Sequence, residues 1–194
     1  MRLREVERGD SFASRLLIGL ISMVSRMRLP DAARVAFHHR SFVSPVGAWT
    51  QAAMRLPSTW TLGERELMAA MVAKWNSCAF SLGAHRAIAV KELPAASVDG
   101  ALADFMAAPI ANGLEATLAC LEKMTLRPRD LITGDARTAL HAGVTAEALS
   151  EAIAVASLFN IITRYADALD FAIPTADEFD RARDMLLERG YGSR

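Results

Sequence analysis

Four residues in this sequence have the types and spacing to move protons or attack an electrophile: Glu66, Cys78, Ser81 and His85. Each α-helical residue turns about 100°, so positions 78, 81 and 85 fall within one narrow stripe if they share a helix. Ser77 reads as the N-cap of that helix, which places Cys78 in the first turn. Free backbone N–H groups and the positive end of the helix dipole meet there. Such surroundings lower a thiol's pKa, and the thiolate is its nucleophilic form. His85, two turns further along the stripe, can give or take the proton. Glu66 stands on the preceding helix. Twelve residues of unbroken helix would turn it about 120° away from Cys78, so it joins the site only if the chain bends at Asn76-Ser77.

Each of these residues also has a plain role. A lone cysteine in a helical protein is often a small hydrophobe, a lone histidine often a satisfied core residue, and Glu66 suits the first turn of a helix. Cys120 lies in Ala116-Thr117-Leu118-Ala119-Cys120-Leu121 and reads as packing, with no reason to expect a bridge to Cys78. His38-His39-Arg40 reads as surface, because adjacent histidines on a helix point about 100° apart. His141 reads as a helix-end residue. Arg164 and Asp167 are spaced for an ion pair, and Asn160 and Arg164 could instead line a site or a subunit contact. Met68, Met71 and Met106 read as adaptable core filler.

The elements that must position these groups are helical. The chain is 52% hydrophobic and only 7% aromatic, rich in Ala, Leu and Met, a mixture that loses little side-chain freedom in helices. No stretch alternates apolar and polar residues long enough to argue for a sheet. After a charge-rich, loosely held start, Asp10 or Ser11 caps a helix to about Met27, and Leu29-Pro30 stops it. Its wide apolar face (Phe12, Leu16, Leu17, Leu20, Ile21, Val24) must be covered by the core or by another subunit.

Asp31 caps a short helix through Phe37, and another follows Ser44-Pro45. Thr61-Leu62-Gly63-Glu64 has the form of a capping box. Further helices are expected over 78–90, 97–107, 111–124, 132–142, 146–171 and 176–189. A shift of 82 positions lays Leu67 on Leu149, Cys78 on Asn160, Ser81 on Thr163 and His85 on Asp167. Two similar helical hairpins around one core would explain this, and so would chance similarity of two Ala-rich helices.

Composition excludes several functions. Lys+Arg and Asp+Glu are both 22, so a nucleic-acid footprint is not expected. Two cysteines are too few for a secreted disulfide framework, which points to free thiols and a cytoplasmic setting. The apolar run at 16–24 is too short to span a bilayer. No phosphate loop, zinc pattern or dinucleotide fingerprint is present, so no cofactor and no metal is expected.

The stretches Leu62-Gly63-Glu64-Arg65-Glu66-Leu67, Trp75-Asn76-Ser77-Cys78-Ala79-Phe80-Ser81 and Gly83-Ala84-His85 resemble the carboxymuconolactone decarboxylase and alkylhydroperoxidase D superfamily. Its thiol members carry Glu, eleven residues, then Cys-x-x-Cys-x-x-x-His. Leu126-Arg127-Pro128, Ala142-Gly143-Val144 and Phe159-Asn160 with Arg164 and Ala166-Asp167-Ala168-Leu169 are similar to the peroxidase-related branch. The resemblance covers most of 31–173. It divides the chain into an N-terminal segment with an amphipathic helix (1–30), an AhpD-like helical domain (31–173), and a C-terminal helix and tail (174–194).

The resemblance implies an all-α, AhpD-like multi-helix bundle that forms a homo-oligomer. It assigns Cys78 as the first motif cysteine and Glu66 and His85 as a proton relay. Ser81 stands in place of the second cysteine, the one usually assigned the attack on peroxide, and Phe80 where some members place a histidine. Serine cannot enter the sulfur oxidation ladder, so a dithiol cycle within the motif is excluded. Three readings stay open. One is a single-cysteine, peroxidase-related thiol oxidoreductase that meets a small-molecule peroxide and an external thiol reductant. Another is a catalytically silent oligomeric module. The last is a decarboxylase-like acid–base lyase using Glu66 and His85, with neither nucleic acid nor membrane as partner.

Overall fold

Thr61 and Glu64 exchange side-chain and backbone hydrogen bonds in a capping box, and from there the chain enters its most buried helix. Every residue from Leu67 to Ala73 has 0% exposure. The run Leu67–Ala73 is apolar on all sides, and such a run must pass through the interior.

The computed structural model describes residues 1–191 except 10, 26, 27 and 39, and leaves the side chains of 25, 36 and 40 outside it. The expectations for Asp10 as a cap, for a helix end at Met27 and for His39 therefore lie outside the described residues. In chain order the α-helices are α1 (Arg4–Arg8), α2 (Phe12–Ser25), α3 (Asp31–His38), α4 (Arg40–Arg55), α5 (Leu62–Trp75), α6 (Ala79–Glu92), α7 (Ala95–Asp104), α8 (Asn112–Leu126), α9 (Thr133–His141), α10 (Ala146–Leu169) and α11 (Ala176–Arg189). Pro128–Asp130 forms a 3₁₀ turn, and no strand occurs among the described residues. The all-α expectation holds.

Around α5 pack α6, α10, α8, α4 and α7. The shared core includes Leu67, Met68, Met71, Leu118, Leu121, Leu158 and Phe159. The loop before α5 is pinned to α10: Trp60 Nε1 donates to the Ala148 carbonyl at 2.7 Å, and Glu151 accepts from Ser58 and Thr59. The α10 helix is long and apolar enough to cross a membrane by length and composition, yet ten of its residues are buried against its neighbours.

Four expectations need correction. Pro45 lies inside α4 instead of before it; its missing N–H removes one ladder bond, and the helix continues through it from Arg40. The first residues are held in place: Val6 is buried with Val35 and Leu169, and the Arg2 amide donates to the Leu169 carbonyl at 2.8 Å. The second hairpin suggested by the 82-residue shift does not exist, because α10 runs unbroken. Where the first segment turns at Asn76-Ser77, the second carries Leu158 and Phe159, both buried and compatible with a helix. Met106 is 60% exposed, while Met68 and Met71 are fully buried as expected. Of the N-terminal apolar face, Phe12, Leu16, Met23 and Val24 are all more than 60% exposed.

The last helix lies across α6 at a glycine. A Cβ on Gly83 would come within 2.5 Å of Phe179 Cζ, so the contact exists only because residue 83 has no side chain. Gly83→Ala is expected to displace Phe179 and loosen α11 at a cost of about 1–3 kcal/mol. Urea denaturation measures that loss, and faster tryptic cleavage at Arg181 and Arg183 reports the loosened helix.

Candidate functional site

The bend between α5 and α6 decides which groups meet. Ser77 adopts φ 59°, a left-handed conformation that non-glycine residues adopt only where the surroundings enforce it. They do so here. The Asn76 side chain donates to Asn160 Oδ1 at 3.0 Å and to Thr163 Oγ1 at 2.9 Å, clamping the turn onto α10. The Cys78 amide closes it on the Ala73 carbonyl at 2.9 Å.

The N-cap is therefore Cys78 itself, with extended backbone (φ −87°, ψ 93°), and not Ser77. A shared stripe for residues 78, 81 and 85 requires helical dihedrals at residue 78. An extended cap takes Cys78 out of that stripe, while its sulfur stays within reach of the Phe80 and Ser81 amides. Its thiol is 1% exposed and its pKa is pushed up to about 11. Burial is the main cause, and the Asp167 carboxylate adds to it. The helix-start amides of Phe80 and Ser81 do act downward, as expected from the helix start, but burial outweighs them. Asp167 thus faces the thiol, and no ion pair with Arg164 is found among the described residues. Burial at this position works against the activated thiolate expected from the sequence.

The bend does bring Glu66 and His85 together. His85 Nδ1 lies 2.7 Å from Glu66 Oε2, and both residues are buried, with Glu66 at 0% exposure. Arg55 Nη1 donates to Glu66 Oε1 at 2.7 Å, and the Tyr191 hydroxyl donates to the same carboxylate at 3.0 Å. Burial, the largest single influence, pushes the Glu66 pKa up, but hydrogen bonds and charge from His85 and Arg55 together hold it below the ordinary carboxylate range. The Tyr191 phenol is driven well above its usual range by burial and by the Glu66 charge, so it stays a neutral donor.

Two ring contacts fix the geometry. The Arg55 guanidinium stacks 4.6 Å from the Tyr191 ring centroid, and Phe159 meets the His85 ring edge-on at 4.4 Å. With Nδ1 committed to the carboxylate, the working nitrogen of His85 is Nε2.

On one side of this cluster lies a cavity of about 430 Å³ lined by Ser81, Ala84 and His85 of α6 and by residues of α3, α4, α10 and α11. Ser81 and His85 are one turn apart, as their spacing predicts. The Ser81 hydroxyl is buried, lines the cavity and has no hydrogen-bond partner. Cys78 is not among the lining residues.

Of the other residues singled out in the sequence, Asn160 braces the turn and also donates to Thr125 and the Ala156 carbonyl, and Arg164 is exposed. Cys120 packs in the core and both cysteines are free. Two residues that hold Glu66, Arg55 and Tyr191, are not singled out by the sequence. Tyr191 comes from a short tail hooked back by Gly190, whose φ of 72° and ψ of −160° suit only glycine, and its amide donates to Gln51 Oε1 at 2.7 Å. A tyrosine set beside a glycine just past an amphipathic helix was the only signal available.

The sequence matches no family model and no curated protein. The fold is similar to several solved structures. One, described as an alkylhydroperoxidase AhpD core, is a peroxidase-related protein from Ralstonia eutropha JMP134 (TM-score 0.70, 21% identity, covering 89% of this chain and 90% of that one). Another is a peroxidase-related protein from Silicibacter sp. TM1040 (TM-score 0.73, 18% identity, 90% and 91% covered). A third is a cysteine-to-alanine variant of the debrominase Bmp8 in complex with 2,3,4-tribromopyrrole (TM-score 0.70, 15% identity, 93% of each chain covered). Eleven α-helices among the described residues, with the Glu-bearing α5 buried among its neighbours and about nine-tenths of the chain matched, give this chain the fold of the alkylhydroperoxidase AhpD core and the peroxidase-related proteins.

Proposed function

We propose that this chain is a thiol-independent acid–base catalyst that uses an AhpD-like fold to move protons on a small molecule bound against Ser81 and His85. One observation carries the reading. Glu66 holds His85 Nδ1 at 2.7 Å while His85 and the unpartnered Ser81 hydroxyl face a cavity that Cys78 does not reach.

In the reaction, His85 Nε2 takes a proton from the substrate, and the imidazolium formed is stabilised by the Glu66 carboxylate behind it. The same nitrogen returns the proton at a second atom, giving an isomer or releasing a leaving group. Arg55 balances the carboxylate's charge at rest, and the Tyr191 hydroxyl donates to Oε1, the oxygen that Arg55 also holds. Ser81 donates to the oxygen on which negative charge develops. The step needs no oxidant, no reductant and no metal. Positioned general acid–base catalysis of this kind is worth roughly 10²–10⁴-fold in rate.

The likeness to peroxidase-related proteins and to a debrominase favours a second reading, a single-cysteine oxidoreductase rescued by an external thiol. It requires a motion that exposes Cys78 and relieves the effect of Asp167. The exposed apolar residues of α2 support a homo-oligomer in either case, since a second copy would cover them. Light scattering that returns a monomer at micromolar concentration removes that part.

Three experiments test this reading. Solvent-deuterium incorporation into a panel of small enones, lactones and β-keto compounds, followed by NMR, should proceed with the native chain and with Cys78→Ala. His85→Ala should lose at least 100-fold. Peroxide consumption with added monothiol that vanishes in Cys78→Ser would establish the second reading instead. Iodoacetamide labelling of native Cys78 should stay slow at pH 8 and rise about tenfold per pH unit until near pH 11; a plateau near pH 8 contradicts an inert thiol. Glu66→Gln should cost about 3–5 kcal/mol in urea unfolding, because it leaves the buried Arg55 charge uncompensated.

A further inference from the structure

The walls of the cavity have a composition that selects its ligand. Among its described lining residues there is no Asp, Glu, Lys or Arg. Five of the eight phenylalanines in the chain, Phe42, Phe80, Phe159, Phe171 and Phe179, line it together with both tyrosines. In a protein that is only 7% aromatic, this is a strong concentration of rings in one place.

The rings also pair with each other in ways that leave faces and edges for a guest. Phe80 meets Phe171 edge-on with centroids 5.2 Å apart, and Phe42 meets Tyr165 at 5.1 Å with planes tilted by 40°. A flat aromatic guest can join such an array through the same edge-to-face contacts, each worth more than its buried area alone, whereas an aliphatic guest gains only the area. A charged guest would surrender its hydration without a countercharge, since Glu66 is already engaged by Arg55, His85 and Tyr191.

Of the hydroxyl-bearing residues in the wall other than Ser81, which are Thr50, Tyr165 and Tyr191, Thr50 already donates to the Val46 carbonyl and Tyr191 to Glu66. Ser81 is 2% exposed and lines the cavity, and its buried hydroxyl lacks a partner. A buried hydroxyl without a partner is costly until something fills its hydrogen bond. One turn away along α6 stands His85. Together they address a single polar group at one end of a molecule whose remainder is ring. The volume of about 430 Å³ falls within the range of small-molecule sites.

Resting on the acid–base reading for its location but not for its chemistry, we infer that the natural ligand is a neutral, flat aromatic molecule of two or three rings. It carries one hydroxyl or carbonyl, which Ser81 and His85 bind.

Calorimetric titration with three probes tests this. At pH 7, 2-naphthol should bind, 2-naphthoate should bind at least tenfold more weakly, and 1-decanol likewise. Ser81→Ala should weaken 2-naphthol about fivefold to tenfold. Ala84→Phe, which fills the cavity from α6, should abolish its binding; an unchanged thermal unfolding curve shows that this variant folds.

Equal or tighter binding of decanol overturns the aromatic assignment and indicates an acyl-chain site. Tighter binding of naphthoate overturns the neutrality. Undiminished naphthol binding by Ala84→Phe overturns the location. If naphthol binds as described while no compound exchanges deuterium, the acid–base reading fails alone. If exchange occurs only on charged or aliphatic compounds and naphthol does not bind, this inference fails alone.

Discussion

A carboxylate with no exposure to solvent sits at the centre of this protein, and the structure around it is arranged to keep it charged. Glu66 accepts from Arg55, His85 and Tyr191, which stand on α4, on α6 and in the tail after α11. An ionised carboxylate isolated in such an interior would be expelled or protonated. Each of the three partners removes part of that penalty, and between them they tie three remote parts of the chain to α5. Buried ionic clusters are seldom retained for stability alone, since well-packed hydrocarbon of the same volume does as well or better. A histidine held by that carboxylate at the wall of a cavity gives a functional reason for retention.

The same fold hosts an arrangement different from the one the motif suggested. In the thiol chemistry implied by the resemblance, the sulfur is the reacting atom and the imidazole its servant. Here the residue at the second cysteine position is Ser81, which faces the cavity, while Cys78 is turned against Asp167 on α10. The cavity wall therefore carries the His85 imidazole and hydroxyl-bearing residues, Ser81 with Thr50, Tyr165 and Tyr191. A shared scaffold does not carry a shared reaction, because the reaction depends on which atoms reach the ligand.

The relation between sequence and structure is clearest at particular residues. Thr61 and Glu64 announce a helix start, and the structure begins α5 one residue later, because capping is local chemistry. Thr175 and Glu178 do the same for α11. Pro45 misleads in the other direction: a proline can sit within a helix when the surrounding packing outweighs one lost hydrogen bond. The repeat at 82 residues also misleads, because the turn at Ser77 depends on Asn76 reaching Asn160 and Thr163, partners no local pattern reveals.

By itself the sequence determined the all-helical class, most of the helix limits, and the spacing that sets Ser81 and His85 on one face of α6 with Glu66 across a bend. Those properties follow from period, capping and composition, which act over a few residues. Only the tertiary structure decided that the thiol is buried against Asp167, that Arg55 and Tyr191 complete the carboxylate's shell, and that the rings gather around one cavity. Desolvation and long-range hydrogen bonds govern these features. They depend on what surrounds an atom in space, and residues more than a hundred positions apart supply those surroundings.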